Sequence, residues 1–275
     1  MTVIDVKVPA SHPAQRGIDL SSASYGVLVC GRRWGKTTLC EKLLVRASLT
    51  TGLPYGYFAP TYKLMANVWR DLKRILKPVI ADKSEVEKRI ELINGGAIEF
   101  WSLDDTDAGR GRKYAGVVID EAAIVPKLQE AWEDSVKQTL LDYSGGAIFA
   151  STPKGRNYFW QMYQRGVDPE QKDWTSWQYP TSTNPYIKPE DIERARLELP
   201  ESTFRQEYLA EFLEGEGAVF RRVAECATAE PVQPYRGEFI AGVDWGKQAD
   251  FTAIVVLDRE TGAMVDMDRF NQIDY

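Results

Sequence analysis

Apolar residues come along this chain in short runs, separated by stretches with helical spacing. Tyr25-Gly-Val-Leu-Val-Cys30 reads as a buried strand. A Gly-rich turn follows, and over residues 36–48 Leu39, Leu43, Leu44 and Ala47 recur at helical intervals. Residues 55–59 read as a second short strand closed by Pro60, and 62–77 as an amphipathic helix that stops at Pro78. Residues 87–93 and 97–102 flank Asn94-Gly95-Gly96, the signature of a hairpin. A polar loop over 103–113 carries three aspartates and two arginines, and Gly116-Val-Val-Ile-Asp120 is again a buried strand. A helix over 128–142 and a strand over 146–150 complete this part.

Short apolar strands alternating with helices predict an α/β layered fold with a mostly parallel sheet. Residues 156–235 differ in texture. Helices are expected at 156–165, 189–199 and 202–212 around one strand at 174–179, which together read as an attached subdomain. From Glu238 three strands joined by tight turns are expected, the opening of a second sheet. Residues 1–20, with Pro9, Pro13 and Gly17, read as an irregular arm.

Composition narrows the chemistry more than the fold. With 275 residues the chain holds one large domain or two modest ones. The formal net charge is −6, so any contact with nucleic acid has to come from a local basic patch. His12 is the single histidine, which removes His-based triads and multi-His metal sites. The three cysteines form no C-x-x-C pair and fit a reducing cytoplasm better than a disulfide framework. No apolar run approaches the ~18 residues of a membrane span, and the N-terminus does not read as a signal peptide.

Candidate chemistry gathers at a few places. Gly31-Arg32-Arg33-Trp34-Gly35-Lys36-Thr37-Thr38 lies between a predicted strand and a predicted helix. There, backbone N–H groups and the helix N-terminus point at phosphates, Lys36 neutralises them and the Thr37 hydroxyl binds Mg²⁺. The match to a Walker A loop is imperfect, because Cys30 holds the first glycine position and glycine comes one residue later. The competing reading is an ordinary strand-to-helix turn. Asp120 and Glu121 end a buried strand, where ligands collect in open α/β sheets. Asp120 is expected to hold Mg²⁺ and Glu121 to polarise the attacking water, unless the pair merely starts a loop or caps a helix. Arg110 and Arg112, or Arg32 and Arg33, are candidates to stabilise transition-state charge, with a solvated loop charge as the alternative. Ser151 and Thr152 end the next strand, as γ-phosphate sensors or as a helix cap. Gln15 has an amide that both donates and accepts, as adenine's exocyclic edge requires.

Taken together and in this order, His12-Pro-x-Gln15, Gly31-Arg-Arg-Trp-Gly-Lys-Thr37, Arg110-Gly-Arg112, Val118-Ile-Asp-Glu-Ala122, Ser151-Thr-Pro153 and Gly242-Val-Asp244-Trp-Gly246 resemble the large terminase subunit of tailed double-stranded DNA phages. The resemblance covers nearly the whole chain. It implies a P-loop NTPase of the additional-strand (ASCE) class over residues 1–160, a helical lid over 161–235 and the start of a ribonuclease-H-like nuclease over 236–275. It further implies ATP hydrolysis with Mg²⁺, driving double-stranded DNA into a procapsid in the host cytoplasm. The implied partners are the portal, the small terminase subunit and further copies of the chain, in a ring expected to be a pentamer. Gln15 is then the adenine reader, Ser151 and Thr152 the coupling motif, and Arg110 a finger acting in trans, with Arg112 its near competitor. Asp244 is the first acid of a nuclease site that takes Mg²⁺ or Mn²⁺ in a longer chain. A truncated form is expected to keep the ATPase and not to cut DNA. A helicase or remodelling ATPase, and a nucleotide-gated assembly component without turnover, are the other readings.

Overall fold

The computed structural model describes residues 4–18, 23–213, 237–246 and 251–270. The chain divides into two units, Met1–Ala218 and Val219–Tyr275.

The first unit is built on an eight-stranded sheet in the order β3-β4-β5-β2-β6-β7-β1-β8. Its strands are β1 (Tyr25–Cys30), β2 (Pro54–Ala59), β3 (Ile80–Ser84), β4 (Arg89–Leu92), β5 (Ala97–Ser102), β6 (Gly116–Asp120), β7 (Gly146–Ser151) and β8 (Trp174–Tyr179). The six from β5 to β8 in that order run parallel, so their C-terminal ends share one edge. The outer pair β3 and β4 is antiparallel. Burial on both faces explains the continuous apolar runs. Successive residues still separate by face. Leu28, Tyr57, Phe100, Val118 and Ile148 enter one core layer, and Val27, Val29, Phe58, Val117, Ile119 and Phe149 the other.

Helices α2 (Lys36–Thr51) and α3 (Tyr62–Ile75) cover the first layer. In α3 the buried residues Met65, Val68, Trp69 and Leu72 fall at i, i+3, i+4 and i+7, and the Thr61 side chain caps the N-terminus by accepting from Leu64 N. The second layer is covered by α4 (Leu128–Glu130), the helical turns that follow it, and α5 (Tyr158–Val167). The N-terminal arm, expected to be irregular, contains the one-turn α1 (Pro13–Arg16).

Three further elements differ from expectation. The helix over 128–142 is broken into α4, a wide π turn at Ala131–Ser135 and tight 3₁₀ turns at Val136–Tyr143. The wide turn keeps Ala131 and Ser135, four apart, facing the core, and the tight turns do so for Val136 and Thr139, three apart. The strand β3 pairs with β4 at the sheet edge, where its exposed middle hides it from an apolar-run reading. Strand β8 does not stand apart in a helical subdomain. It pairs in parallel with β1 over its whole length, from Tyr25↔Trp174 to Cys30↔Tyr179. Trp174 packs against Tyr25 and, at a ring separation of 6.0 Å, against Phe149. Beyond β8 lie α6 (Pro189–Glu198) and α7 (Glu201–Glu207).

In the second unit β9 (Phe239–Asp244), β10 (Thr252–Asp258) and β11 (Met264–Phe270) form an antiparallel sheet with β10 in the middle. Asp258 closes the β10–β11 turn by accepting from the backbone N–H groups of Glu260 and Thr261 and from the Thr261 hydroxyl.

Phe149 is fully buried and meets Trp132 edge-on at 4.8 Å as well as Trp174. Phe149→Ala is therefore expected to destabilise the first unit by about 3–5 kcal/mol, read as a lowered urea midpoint.

Candidate active site

The turn from β1 to α2 has five residues in which to reverse direction, and its shape is fixed by where its carbonyls go. Gly31 O accepts from Trp34 N, Arg32 O from the Thr181 hydroxyl (2.8 Å), and Arg33 O from the Asn184 amide (2.7 Å). Trp34 O lies 3.0 Å from His12 Nε2, and Gly35 O accepts from Gln15 Nε2 at 2.9 Å. With the carbonyls tied outward, the first N–H groups of α2, which have no intrahelical acceptor, are left for an anion.

Glycine is required twice. At Gly35 φ is +100°, and at Gly31 a Cβ would sit 2.4 Å from the Thr181 hydroxyl and 2.6 Å from Tyr208 O. The displaced glycine of the motif is thus explained by the segment that closes over the loop. Arg33, at φ 62°, takes a left-handed backbone without that freedom. Trp34 is a structural post rather than a cavity residue. It is fully buried, stacks on Tyr179 (5.2 Å), and donates to Thr183 Oγ1 at 2.7 Å.

Lys36 and Thr37 open α2 facing the ends of β6 and β7. Lys36 Nζ donates to Thr152 Oγ1 (2.8 Å), and the Thr37 hydroxyl donates to Asp120 Oδ2 (2.7 Å). The same oxygen accepts from the phenol of Tyr57 at 2.8 Å, while Asp120 Oδ1 accepts from Glu121 N. Tyr57 was not among the sequence candidates. The available signal was a tyrosine in a buried strand, whose hydroxyl must find a partner. Glu121 has φ 52°, and its carboxylate accepts from Ser151 Oγ at 3.4 Å. Burial raises its pKa, against the lowering influence of Lys36.

Lys36, Thr37 and Glu121 line a cavity of about 840 Å³ together with, among others, Arg32, Arg33 and Thr38; Asp120, Tyr57 and Ser151 are buried and do not line it. Thr152, Lys154 and Glu207 line it too, and the last two were not anticipated. Arg32 is ion-paired with Glu207, and its N–H donates to Glu207 O at 2.6 Å.

Other candidates stand elsewhere. Gln15 is buried beside the loop, its amide enclosed by Gly35, Lys42 and the His12 N–H. Neither Arg110 nor Arg112 lines the cavity of its own chain. The two are distinguished by their surroundings. Arg112 lies over the Trp101 ring (5.6 Å) and pairs at 3.4 Å with Glu99, a carboxylate only 8% exposed that also accepts from Tyr114 OH (2.7 Å) and pairs with Arg89. Arg110 is 70% exposed between two positive-φ glycines, Gly109 and Gly111, and its ion pair is with exposed Asp107. In the second unit Asp244 is exposed at the end of β9, and Asp266 and Asp268 each accept from the following backbone N–H. Among the described residues no three His, Cys, Asp or Glu side chains gather as a metal group.

A phosphate-type loop on β1, an Asp-Glu pair on β6 and the strand β7 inserted between them define a P-loop NTPase fold of the additional-strand class. The family described as "Terminase large subunit, T4likevirus-type, N-terminal" matches residues 27–225, and the chain belongs to it. The terminase large subunit of Escherichia phage T5 is 32% identical over 192 residues, 69% of this chain and 44% of that protein. The chain spans 44% of that protein's length and 62% of the terminase large subunits of Thermus virus P23-45 and Thermus phage G20c. The large terminase ATPase domain of Thermus phage P74-26 superposes with TM-score 0.61 and 25% identity, over 74% of this chain and 94% of that one. A large terminase from a thermophilic bacteriophage, in complex with ADP, shares the fold at TM-score 0.62 and 16% identity, over 93% and 65% of the two chains.

Buried Glu41 on α2 has its pKa pushed up to about 7, first by burial and then by Asp71 and Asp120. Between its ordinary value of 4.5 and about 7 the folded chain binds a proton that the unfolded chain does not, so this group's contribution to stability falls as pH rises through that window. Glu41→Gln should stabilise the protein at pH 8 and make little difference near pH 5, measured by thermal melts across pH.

Proposed function

We propose that this chain binds and hydrolyses ATP as the motor ATPase that packages double-stranded phage DNA. The observation that carries the reading is that Lys36, Thr37 and Glu121 line one cavity at the C-terminal edge of a parallel sheet, with buried Asp120 bonded to Thr37. The α2 amides and Lys36 bind the phosphates, and the ADP complex of the related fold supports a nucleotide here.

The residues also fit Mg²⁺. A threonine hydroxyl and a buried carboxylate meet at 2.7 Å, an oxygen donor set of the kind Mg²⁺ takes. Thr37 and Asp120 would hold the ion, which supplies charge neutralisation at the phosphates. Tyr57 keeps the Asp120 carboxylate in place through its second donor.

Glu121 orients the water and takes its proton, a role its raised pKa suits. Thr152 contacts Lys36 and Ser151 contacts Glu121, so the end of β7 senses the nucleotide and passes its state to 152–157 and α5. Gly155 N donates to Gln206 of α7, which extends that link to the residue next to the Arg32 partner Glu207. Arg110 acts on the cavity of a neighbouring copy, because the Glu99 anchor immobilises Arg112 and leaves Arg110 presented outward. The portal, the small terminase subunit and a ring of this chain in the host cytoplasm are the partners and setting of that work. Family membership speaks against the helicase and assembly-component readings.

Glu121→Ala is expected to keep ATP affinity and to lower turnover by about 10²–10⁴-fold, read by calorimetry and phosphate release. Unchanged turnover would remove Glu121 from its role. Mixing Lys36→Ala with Arg110→Ala protein should restore ATPase activity that neither variant has alone, since each supplies what the other lacks. A mixture as inactive as its components would refute action in trans.

A further inference from the structure

The loop that carries Arg110 is pinned on both sides of that residue. Before it, Ala108 is buried, and a Cβ at Gly109 would lie 2.9 Å from Phe58 Cζ, so the backbone there rests on the core. After it, Arg112 lies over the Trp101 ring with its Nε 3.4 Å from Glu99 Oε2. Glu99 faces Arg89 across the β4–β5 ladder, and Arg89 Nε stands 3.3 Å from Oε1. The Tyr114 phenol donates to Glu99 Oε2 at 2.7 Å and accepts from the Trp101 indole N–H, also at 2.7 Å. Burial, and then Glu99, raise the Tyr114 pKa, so the phenol stays a donor. A buried carboxylate needs partners of this kind, and here one of them is the loop itself. Arg110 has no comparable hold, for its ion pair is with exposed Asp107.

We propose that Glu99 is a positioning residue for ATP hydrolysis in a neighbouring copy: by tethering Arg112 against Trp101 it fixes the reach of the Arg110 finger. Glu99 does not line the nucleotide cavity of its own chain. The inference rests on the trans reading of Arg110 given above. Arg112, the other candidate finger, is in this arrangement the tether. Once it is cut, the stretch from Gly109 to Gly111, with a positive φ at each end, is held at one side only. The guanidinium must then be ordered at the moment of reaction instead of beforehand. Loss of Glu99 therefore matters only in the copy that donates the finger. Glu99 and Arg112 also act through one contact, so their losses do not add.

The test uses the full chain and reads ATPase turnover in pairwise mixtures. Lys36→Ala can donate only the finger, and Arg110→Ala only the nucleotide site. With Glu99→Gln, which keeps the side chain's size, placed in the Lys36→Ala chain, turnover should fall about ten- to a hundredfold below the mixture of the two parents, with KM for ATP unchanged. With Glu99→Gln placed in the Arg110→Ala chain, turnover should match the parent mixture. Arg112→Ala in the Lys36→Ala chain should show the same fall, and Glu99→Gln added to it should cost nothing more. An effect of Glu99→Gln that is equal in both placements, or absent from both, would overturn the proposal. So would full donation with Glu99→Gln beside complete loss with Arg112→Ala, the pattern of Arg112 as the finger. If Glu99→Gln does not fold, Tyr114→Phe, which removes only the phenol hydroxyl, decides through the same two placements, with a fall of about three- to tenfold expected in the finger donor alone. A parent mixture as inactive as its components would overturn the trans reading, and this inference with it.

Discussion

A loop that turns its N–H groups toward an anion must turn its carbonyls away, and those carbonyls cannot be left without partners. This constraint organises the first unit. Four successive carbonyls, from Arg32 to Gly35, are taken by side chains of Thr181, Asn184, His12 and Gln15. None of these residues is near the loop in sequence. The N-terminal arm and the segment after β8 therefore both brace the loop between β1 and α2. The Trp34 ring is held by the arm and by the end of β8, with His12 meeting it in T-shaped geometry and Tyr179 stacked on it.

Much of the frame was legible in the sequence, because it is written in local periodicity. The parallel strands were visible as apolar runs, α3 as an i, i+3, i+4, i+7 stripe, and the hairpin as Asn94-Gly95-Gly96. The loop was legible because its turn demands glycine at fixed spacing from Lys36, and the Asp-Glu pair because two acids at the end of a buried strand need a reason to be there. What was not legible depends on contacts between distant residues. The strand at 174–179 was expected, but it reads as belonging to an attached helical subdomain until Trp174 and Tyr179 are seen paired with Tyr25 and Cys30 in the main sheet. Tyr57 is a core aromatic until its hydroxyl is seen on Asp120, 63 residues away. Glu207 meets Arg32 across 175 residues, and no pattern along the chain announces such a pair.

The two arginines of the 103–113 loop show how neighbours with one chemistry come to differ. Arg110 and Arg112 are alike in type and are separated only by glycine. Glu99, held by Tyr114 and flanked by Arg89, gives Arg112 a buried counter-charge and leaves Arg110 with a partner in solvent. A charge at the surface is weakly bound and readily given up to another anion. The distinction is one of local dielectric rather than of sequence.

Glu121 has a left-handed backbone that an L-residue with a Cβ adopts only at a cost, of the order of 1–3 kcal/mol for such strained positions. Selection for durability alone would favour glycine or asparagine there, residues that tolerate the geometry. If Glu121 acts as proposed above, the most heat-resistant descendants of this chain would then be its idle ones, and resistance to unfolding would be a misleading proxy for its activity.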